Sequence, residues 1–114
     1  CGYCLASHSA YLRELTGDPV LPDAIVHNYR HAKLSARERS LLDFAVKLSG
    51  DSYVMSPSDL EPLRAQGLTD EAIFEVGQVA AMFNFTNRLA NAFGWTPNED
   101  FYHQARNQAG PPQG

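Results

Sequence analysis

Apolar residues recur at steps of three and four positions along most of the chain, which is the spacing of one face of an α-helix. No segment shows the strict alternation of apolar and polar residues that marks a half-buried strand. The pattern therefore predicts an all-α fold, a helical bundle of about five helices. The predicted helices cover residues 3–15, 18–32, 36–49, 57–66 and 70–93.

Residues that start helices support these boundaries. Ser35 can cap the third helix, and Glu38, three residues later, completes a capping box. Thr69 precedes the longest helix in the same way. After the predicted helices the chain ends with the sequence NQAGPPQG. We therefore predict one helical domain over residues 1–100 and a tail over residues 101–114 that is disordered at its end.

The longest predicted helix is apolar around most of its circumference. Such a helix either lies at the centre of a domain or is covered by a partner subunit. Its apolar side chains are Ile73, Phe74, Val76, Val79, Met82, Phe83, Phe85, Leu89 and Phe93.

Polar side chains interrupt one side of the same helix. Asn84 and Arg88 are four residues apart, and Asn91 follows at helical spacing. Polar groups in an apolar setting need hydrogen-bond partners. Two interpretations are open. The residues form an exposed or interface stripe, or Asn84 and Arg88 are supporting residues that reach toward a functional site or fix the helices packed around it.

Composition and charge disfavour several classes of function. The chain has 114 residues, 44% of them hydrophobic, and a net charge of −4. A nucleic-acid partner is disfavoured, because such proteins carry basic patches and this chain has no run of Lys and Arg. No apolar stretch approaches the roughly 20 residues of a membrane span, and no signal peptide is visible. With only two cysteines, close together, we expect a reducing compartment, the cytoplasm.

The sequence CGYCLASH opens the chain and carries its strongest chemical signal. Cys1, Cys4 and His8 lie at steps of three and four residues, so a helix places them side by side. A neighbouring histidine or a helix N-terminus lowers the pKa of a thiol from about 8.5 to roughly 3.5–7.5, and the thiolate is the reactive form. Cys4 could then attack a peroxide, Cys1 could resolve the sulfenic acid to a disulfide, and His8 could serve as acid and base.

Two other interpretations of this motif are open. Two thiols on one helix face can be inert core residues. Cys1, Cys4 and His8 could also ligate a metal, but a structural zinc site needs four ligands and the chain has no second cysteine pair. A fourth ligand from another subunit or a water would be required. We expect no metal and no organic cofactor.

The remaining histidines give weaker signals. His27 and His31 are four residues apart, a spacing that could hold a metal, but the charges of Arg30 and Lys33 beside them favour a solvated face. His103 is predicted to lie at the surface.

Four stretches in this order resemble one family. They are CGYCLASH, LTGDP, LSARERSLLDFAVKLS and GLTDEAIFEVGQVAAMFNFTNRLANAFG, and they span roughly residues 1–96. Together they resemble the alkylhydroperoxidase D-like group of the carboxymuconolactone decarboxylase superfamily, in its peroxidase-related branch. The resemblance implies an all-α fold that assembles into homo-oligomers. It also implies a thiol-dependent peroxidase or disulfide reductase that takes a hydroperoxide substrate and an external thiol or dithiol reductant.

Carried over by position, the resemblance makes Cys4 the peroxide-reactive cysteine, Cys1 the resolving cysteine and His8 the proton relay. The family also implies helices ahead of the motif, with a glutamate about three helical turns before the first cysteine. The present sequence begins at Cys1, so we expect that an N-terminal part is missing. The alternative functions are a helical oligomeric module with an inactive or vestigial redox site, and a metal-binding module.

Overall fold

The computed structural model describes residues 1–106, and within this range every regular element is helical. The all-α prediction is confirmed. Six α-helices are present: α1 (Gly2–Thr16), α2 (Leu21–Asn28), α3 (Ala36–Asp51), α4 (Glu61–Ala65), α5 (Asp70–Ala92) and α6 (Asp100–His103). Short 3₁₀ helices cover Tyr29–His31, Ser52–Val54 and Pro57–Leu60. No helix of residues 1–106 is long and apolar enough to cross a membrane.

The helix ends follow local chemistry. The hydroxyl of Ser35 accepts a hydrogen bond from the Glu38 N–H at 3.1 Å, and the Glu38 carboxylate accepts one from the Ser35 N–H at 3.0 Å, so the predicted capping box is confirmed. Gly17 ends α1 in the left-handed region, at φ 65°, where a residue without a Cβ is favoured.

The second helix is shorter than the 18–32 predicted. The Asp18 carboxylate accepts hydrogen bonds from the N–H groups of Val20 and Leu21, so the turn before α2 is closed by this side chain and the helix begins only at Leu21. At its other end Asn28 caps the following 3₁₀ helix, because its side chain accepts a hydrogen bond from the Arg30 N–H. The hydrogen bonds of the Asp18 and Asn28 side chains thus make the helix shorter at both ends than predicted.

The chain divides into two compact units. The first unit contains residues 1–33 and the chain from residue 87 onward, and the second contains residues 34–86. In the first unit α1 packs against α2 and α6. Ala6 and Ala10 are buried on α1, and the Phe101 ring of α6 contacts the rings of Tyr3 and Tyr11.

The core of the second unit is apolar. Leu63, Leu68 and Ile73 form a buried cluster, against which Leu41 and Phe44 of α3 pack. At the edge of this unit the Lys47 ammonium pairs with the Asp59 carboxylate at 2.6 Å.

Helix α5 is not buried around most of its circumference, although its apolar sequence would allow it. Among its apolar residues, Ile73 and Ala90 are buried. Six large ones are exposed, namely Phe74, Val79, Met82, Phe83, Phe85 and Leu89, and Phe93 directly after the helix is exposed as well. Within the described residues this helix therefore presents much of its apolar surface to solvent.

The boundary of the predicted tail also differs. Residues Asp100–His103 form α6, so regular structure continues into the range 101–114. The predicted disorder at the end of the tail falls on residues 107–114, which lie outside the described residues.

Candidate functional site

The two cysteines lie together at the N-terminus of α1. Cys1 is the N-cap residue, and its sulfur accepts a hydrogen bond from the Cys4 N–H at 3.3 Å. The two Cα atoms are 5.3 Å apart and the Sγ atoms are in contact, in the pairing of a disulfide. Both side chains are half-buried.

His8 lies one helical turn beyond Cys4, and its side chain is exposed. The spacing places it on the same face of α1 as Cys1 and Cys4. The three residues singled out from the sequence are therefore on one continuous helix, on a face that solvent and small reagents can reach.

The opposite face of α1 is the buried one. It carries Ala6, Ala10 and Arg13, at the spacing of one helix face. Ser7 is also buried, and its hydroxyl donates a hydrogen bond to the Tyr3 carbonyl at 2.8 Å. Packing on this side leaves the face with the cysteines turned outward.

Arg13 is a residue whose burial the sequence analysis did not identify. Its side chain has no exposed surface, its Nη2 donates to the Phe101 carbonyl at 2.7 Å, and its Nε donates to the Gln104 carbonyl at 2.9 Å. Burial and the nearby Arg106 charge lower the pKa of Arg13, while Asp23 opposes this shift. The spacing of Arg13 from Ala6 and Ala10 was the signal that could have placed it on the buried face.

Asn84 belongs to the second unit. Its amide donates hydrogen bonds to the Ser49 hydroxyl at 2.8 Å and to the Ala80 carbonyl at 2.9 Å. The Ser49 hydroxyl in turn donates to the Ala45 carbonyl. The contact with Ser49 joins α5 to α3, and the supporting role of Asn84 at the functional site stays a prediction. Arg88 is exposed on α5, and its supporting role stays a prediction.

His27, His31 and His103 are exposed, as predicted. Within residues 1–106 no group of three or more His, Cys, Asp or Glu side chains is arranged to hold a metal ion. Cys1, Cys4 and His8 therefore do not form a three-ligand cluster in this structure.

Comparison with known proteins gives structural relatives. No family model matches the chain, and no curated protein matches it. Among solved structures, it is similar to the alkylhydroperoxidase AhpD core of an uncharacterized peroxidase-related protein from Ralstonia eutropha JMP134. The TM-score is 0.91 and the identity 36%, over 96% of this chain and 57% of that one.

A second solved structure agrees with the first. It is an uncharacterized peroxidase-related protein from Silicibacter sp. TM1040, with a TM-score of 0.91 and 43% identity over 93% of this chain and 56% of that one. The present chain thus spans a little over half the length of these two relatives.

Proposed function

Because the chain belongs to the alkylhydroperoxidase D-like group, in its peroxidase-related branch, we propose that it is a thiol-dependent peroxidase that reduces hydroperoxides through Cys1, Cys4 and His8. The observation that carries the proposal is the contact of the two cysteine sulfurs at the N-terminus of α1, with His8 one turn further on the same face. A nucleophile, a resolving thiol and a proton carrier are then within one short stretch of helix.

The first step forms a sulfenic acid. His8 accepts the Cys4 proton, and the thiolate attacks the terminal oxygen of a hydroperoxide ROOH. The O–O bond breaks, the Cys4 sulfur keeps the OH group, and the alkoxide takes the proton from His8 to leave as ROH. Cys4 supplies the electron pair for this reduction.

The second step closes the disulfide. The Cys1 sulfur attacks the Cys4 sulfur, the S–O bond breaks, and hydroxide leaves and takes the Cys1 proton to form water. In sum, two thiols and ROOH give one disulfide, ROH and water. An external dithiol then reduces the pair by thiol–disulfide exchange and is itself oxidised to a disulfide, which fits a reducing compartment such as the cytoplasm.

The decisive experiment follows cumene hydroperoxide consumption with dithiothreitol as the reductant. Cys4→Ser should abolish turnover, because no thiolate is left to attack. Without dithiothreitol, Cys1→Ser should consume one equivalent of peroxide and leave a sulfenic acid that dimedone traps, whereas the wild type should leave a disulfide. Unchanged turnover in the Cys4→Ser variant would refute the proposal.

The histidine role needs a matched control. His8→Ala should lower the rate constant about a hundredfold, within the usual range for a lost acid–base group. His103 is also exposed and helical but lies away from the motif in sequence, on α6. His103→Ala should leave the rate constant unchanged. Equal losses in both variants would remove His8 from the mechanism.

A second candidate function rests on the exposed apolar residues of α5. A contiguous apolar surface often marks a protein–protein interface. We propose that these residues support a homo-oligomer, in which case the chain would be a helical assembly module even with an inactive redox site. Light scattering of the reduced protein, alongside thiol titration before and after peroxide, separates the two functions. An oligomer whose two thiols resist peroxide would favour the assembly module, and a monomer that consumes peroxide would exclude it.

A further inference from the structure

A cavity in the first unit contains charged groups that the peroxidase chemistry does not use. Its volume is about 320 Å³, at the lower end of the roughly 300–1,000 Å³ range of small-molecule sites. Leu5, Val26 and Phe101 contribute apolar walls, while Arg13, Asp23 and Arg106 contribute the charges. Most small-molecule sites combine an apolar lining with a few polar groups in this way.

Arg13 is the unusual member of this lining. Its side chain is fully buried, and two of its three nitrogens donate to backbone carbonyls of Phe101 and Gln104. The third, Nη1, is buried and has no hydrogen-bond partner among the described residues. A buried donor without an acceptor costs about 1–3 kcal/mol, so a ligand that supplies an oxygen here would be stabilised.

The charges of the cavity do not cancel. Two guanidinium groups, Arg13 and Arg106, face one carboxylate, Asp23. Arg106 already pairs with Asp23 at 2.9 Å, and this pair is partly exposed. Among the arginine and aspartate side chains of the lining, one positive charge is left uncompensated, and that charge is on the buried Arg13.

We propose that this cavity binds a small monocarboxylate with a short apolar tail. The carboxylate would accept a charge-assisted hydrogen bond from Nη1 of Arg13 and would balance the excess charge, and the tail would lie against the apolar walls. A single negative charge matches the lining, whereas the second charge of phosphate would be uncompensated. The site uses neither cysteine, so the proposal stands or falls independently of the peroxidase function.

The test uses hexanoate as the probe and hexanamide as its neutral counterpart, with binding followed by calorimetry on the whole chain. Hexanoate should bind saturably and hexanamide at least about tenfold more weakly, because the amide lacks the charge. Absence of saturable hexanoate binding, or equal binding of the amide, would overturn the proposal. So would binding of inorganic phosphate as tight as that of hexanoate.

Two variants of the same ion pair separate electrostatics from structural damage. Arg106→Gln and Asp23→Asn both break the Arg106–Asp23 bridge, so a purely structural effect would change hexanoate affinity in the same direction. The proposal requires opposite directions. Arg106→Gln should weaken binding several-fold because it removes a positive charge, and Asp23→Asn should strengthen it several-fold because it removes the competing carboxylate.

Substitution of Arg13 gives the largest expected effect. Arg13→Lys should weaken hexanoate about tenfold, since one ammonium cannot serve two carbonyls and the ligand with the geometry of a guanidinium. Arg30→Gln, an exposed arginine of the same unit outside the cavity lining, is the matched control and should leave affinity unchanged. Where Arg13→Lys lowers helicity, the opposed pair at residues 23 and 106 decides the question.

Discussion

In the first unit the largest fully buried side chain is a charged one, Arg13, whereas in the second unit it is Leu63. Arg13 holds α1 to α6 through two carbonyl oxygens, and the other buried residues of α1, Ala6, Ser7 and Ala10, are small. Leu63 instead belongs to an apolar cluster with Leu68. A directional polar contact fixes the helix that carries the two cysteines, while apolar packing holds the other unit together.

The difference bears on how each unit responds to substitution. A guanidinium fork holds its acceptors at fixed angles, so α1 has a defined position relative to α6. Apolar clusters tolerate exchange of similar volumes with little loss of stability. Cys1, Cys4 and His8 therefore lie in the unit whose helix position is set by the directional contact.

The largest stability effect is expected for Arg13→Ala. The carbonyls of Phe101 and Gln104 each lose a charged donor, a contact of about 1.5–3 kcal/mol, so the free energy of unfolding should fall by about 4 kcal/mol. Leu15 on the same helix is 84% exposed, and Leu15→Ala should change it by less than about 0.5 kcal/mol. Urea unfolding measures both. A larger loss for Leu15→Ala would mean that α1 buries another face.

Two neighbouring residues of α5 in the second unit, one buried and one exposed, give a comparable pair of substitutions. Ile73 is 4% exposed and packs in the Leu63 cluster, so Ile73→Ala should lower the free energy of unfolding by about 3 kcal/mol. Its neighbour Phe74 is 68% exposed, and Phe74→Ala should have an effect below about 0.5 kcal/mol for the monomer. A large loss for Phe74→Ala that grows with protein concentration would show that a second copy covers this surface.

Local features of the structure could be predicted from the sequence, whereas contacts between residues far apart in the chain could not. The Ser35–Glu38 capping box and the shared face of Cys4 and His8 depend on residues three or four apart, and helical spacing decides them. The buried state of Arg13 depends on carbonyls 88 and 91 residues further along the chain. The spacing of Arg13 from Ala6 and Ala10 indicates the face of α1 on which it lies, but no local pattern shows that the carbonyls of Phe101 and Gln104 receive its guanidinium.

The same limit applies to α5. The composition of α5 is compatible with a central position in the domain or with a surface covered by a partner. Apolar side chains show that burial would be favourable, but they do not show which neighbouring element buries them. The structure shows the exposed state of its large apolar side chains within the described residues.

Substitution of two glycines, one within α5 and one directly after it, should change the free energy of unfolding by a smaller amount. Gly77 lies inside the helix, and a Cβ there would meet only Phe44 Cε1 at 4.0 Å, an ordinary contact. Gly77→Ala should therefore raise the free energy of unfolding by about 0.5–1 kcal/mol. Gly94 has φ 65°, so Gly94→Ala should lower it by about 1 kcal/mol. Thermal unfolding distinguishes the signs, and destabilisation by Gly77→Ala would indicate that Phe44 packs more tightly against α5.

The smallest effect concerns the Lys47–Asp59 pair, the partly exposed counterpart in the second unit to the buried Arg13. The hydrogen bond from Lys47, together with that from the Ser56 N–H, lowers the pKa of Asp59. A lowered folded-state pKa means that the stabilisation is present above the unfolded pKa of about 3.9 and is lost as the pH falls through the folded value.

The stability gap between the wild type and Asp59→Asn should therefore be constant near neutral pH and should close below about pH 4. Lys47→Met removes the same pair from its other side, so its gap should close over the same pH range. Urea midpoints measured from pH 7 to pH 3 compare the two. A gap for Asp59→Asn that widens in acid would contradict the direction of the shift, because only a carboxyl group held charged by its partners loses its stabilising effect on protonation.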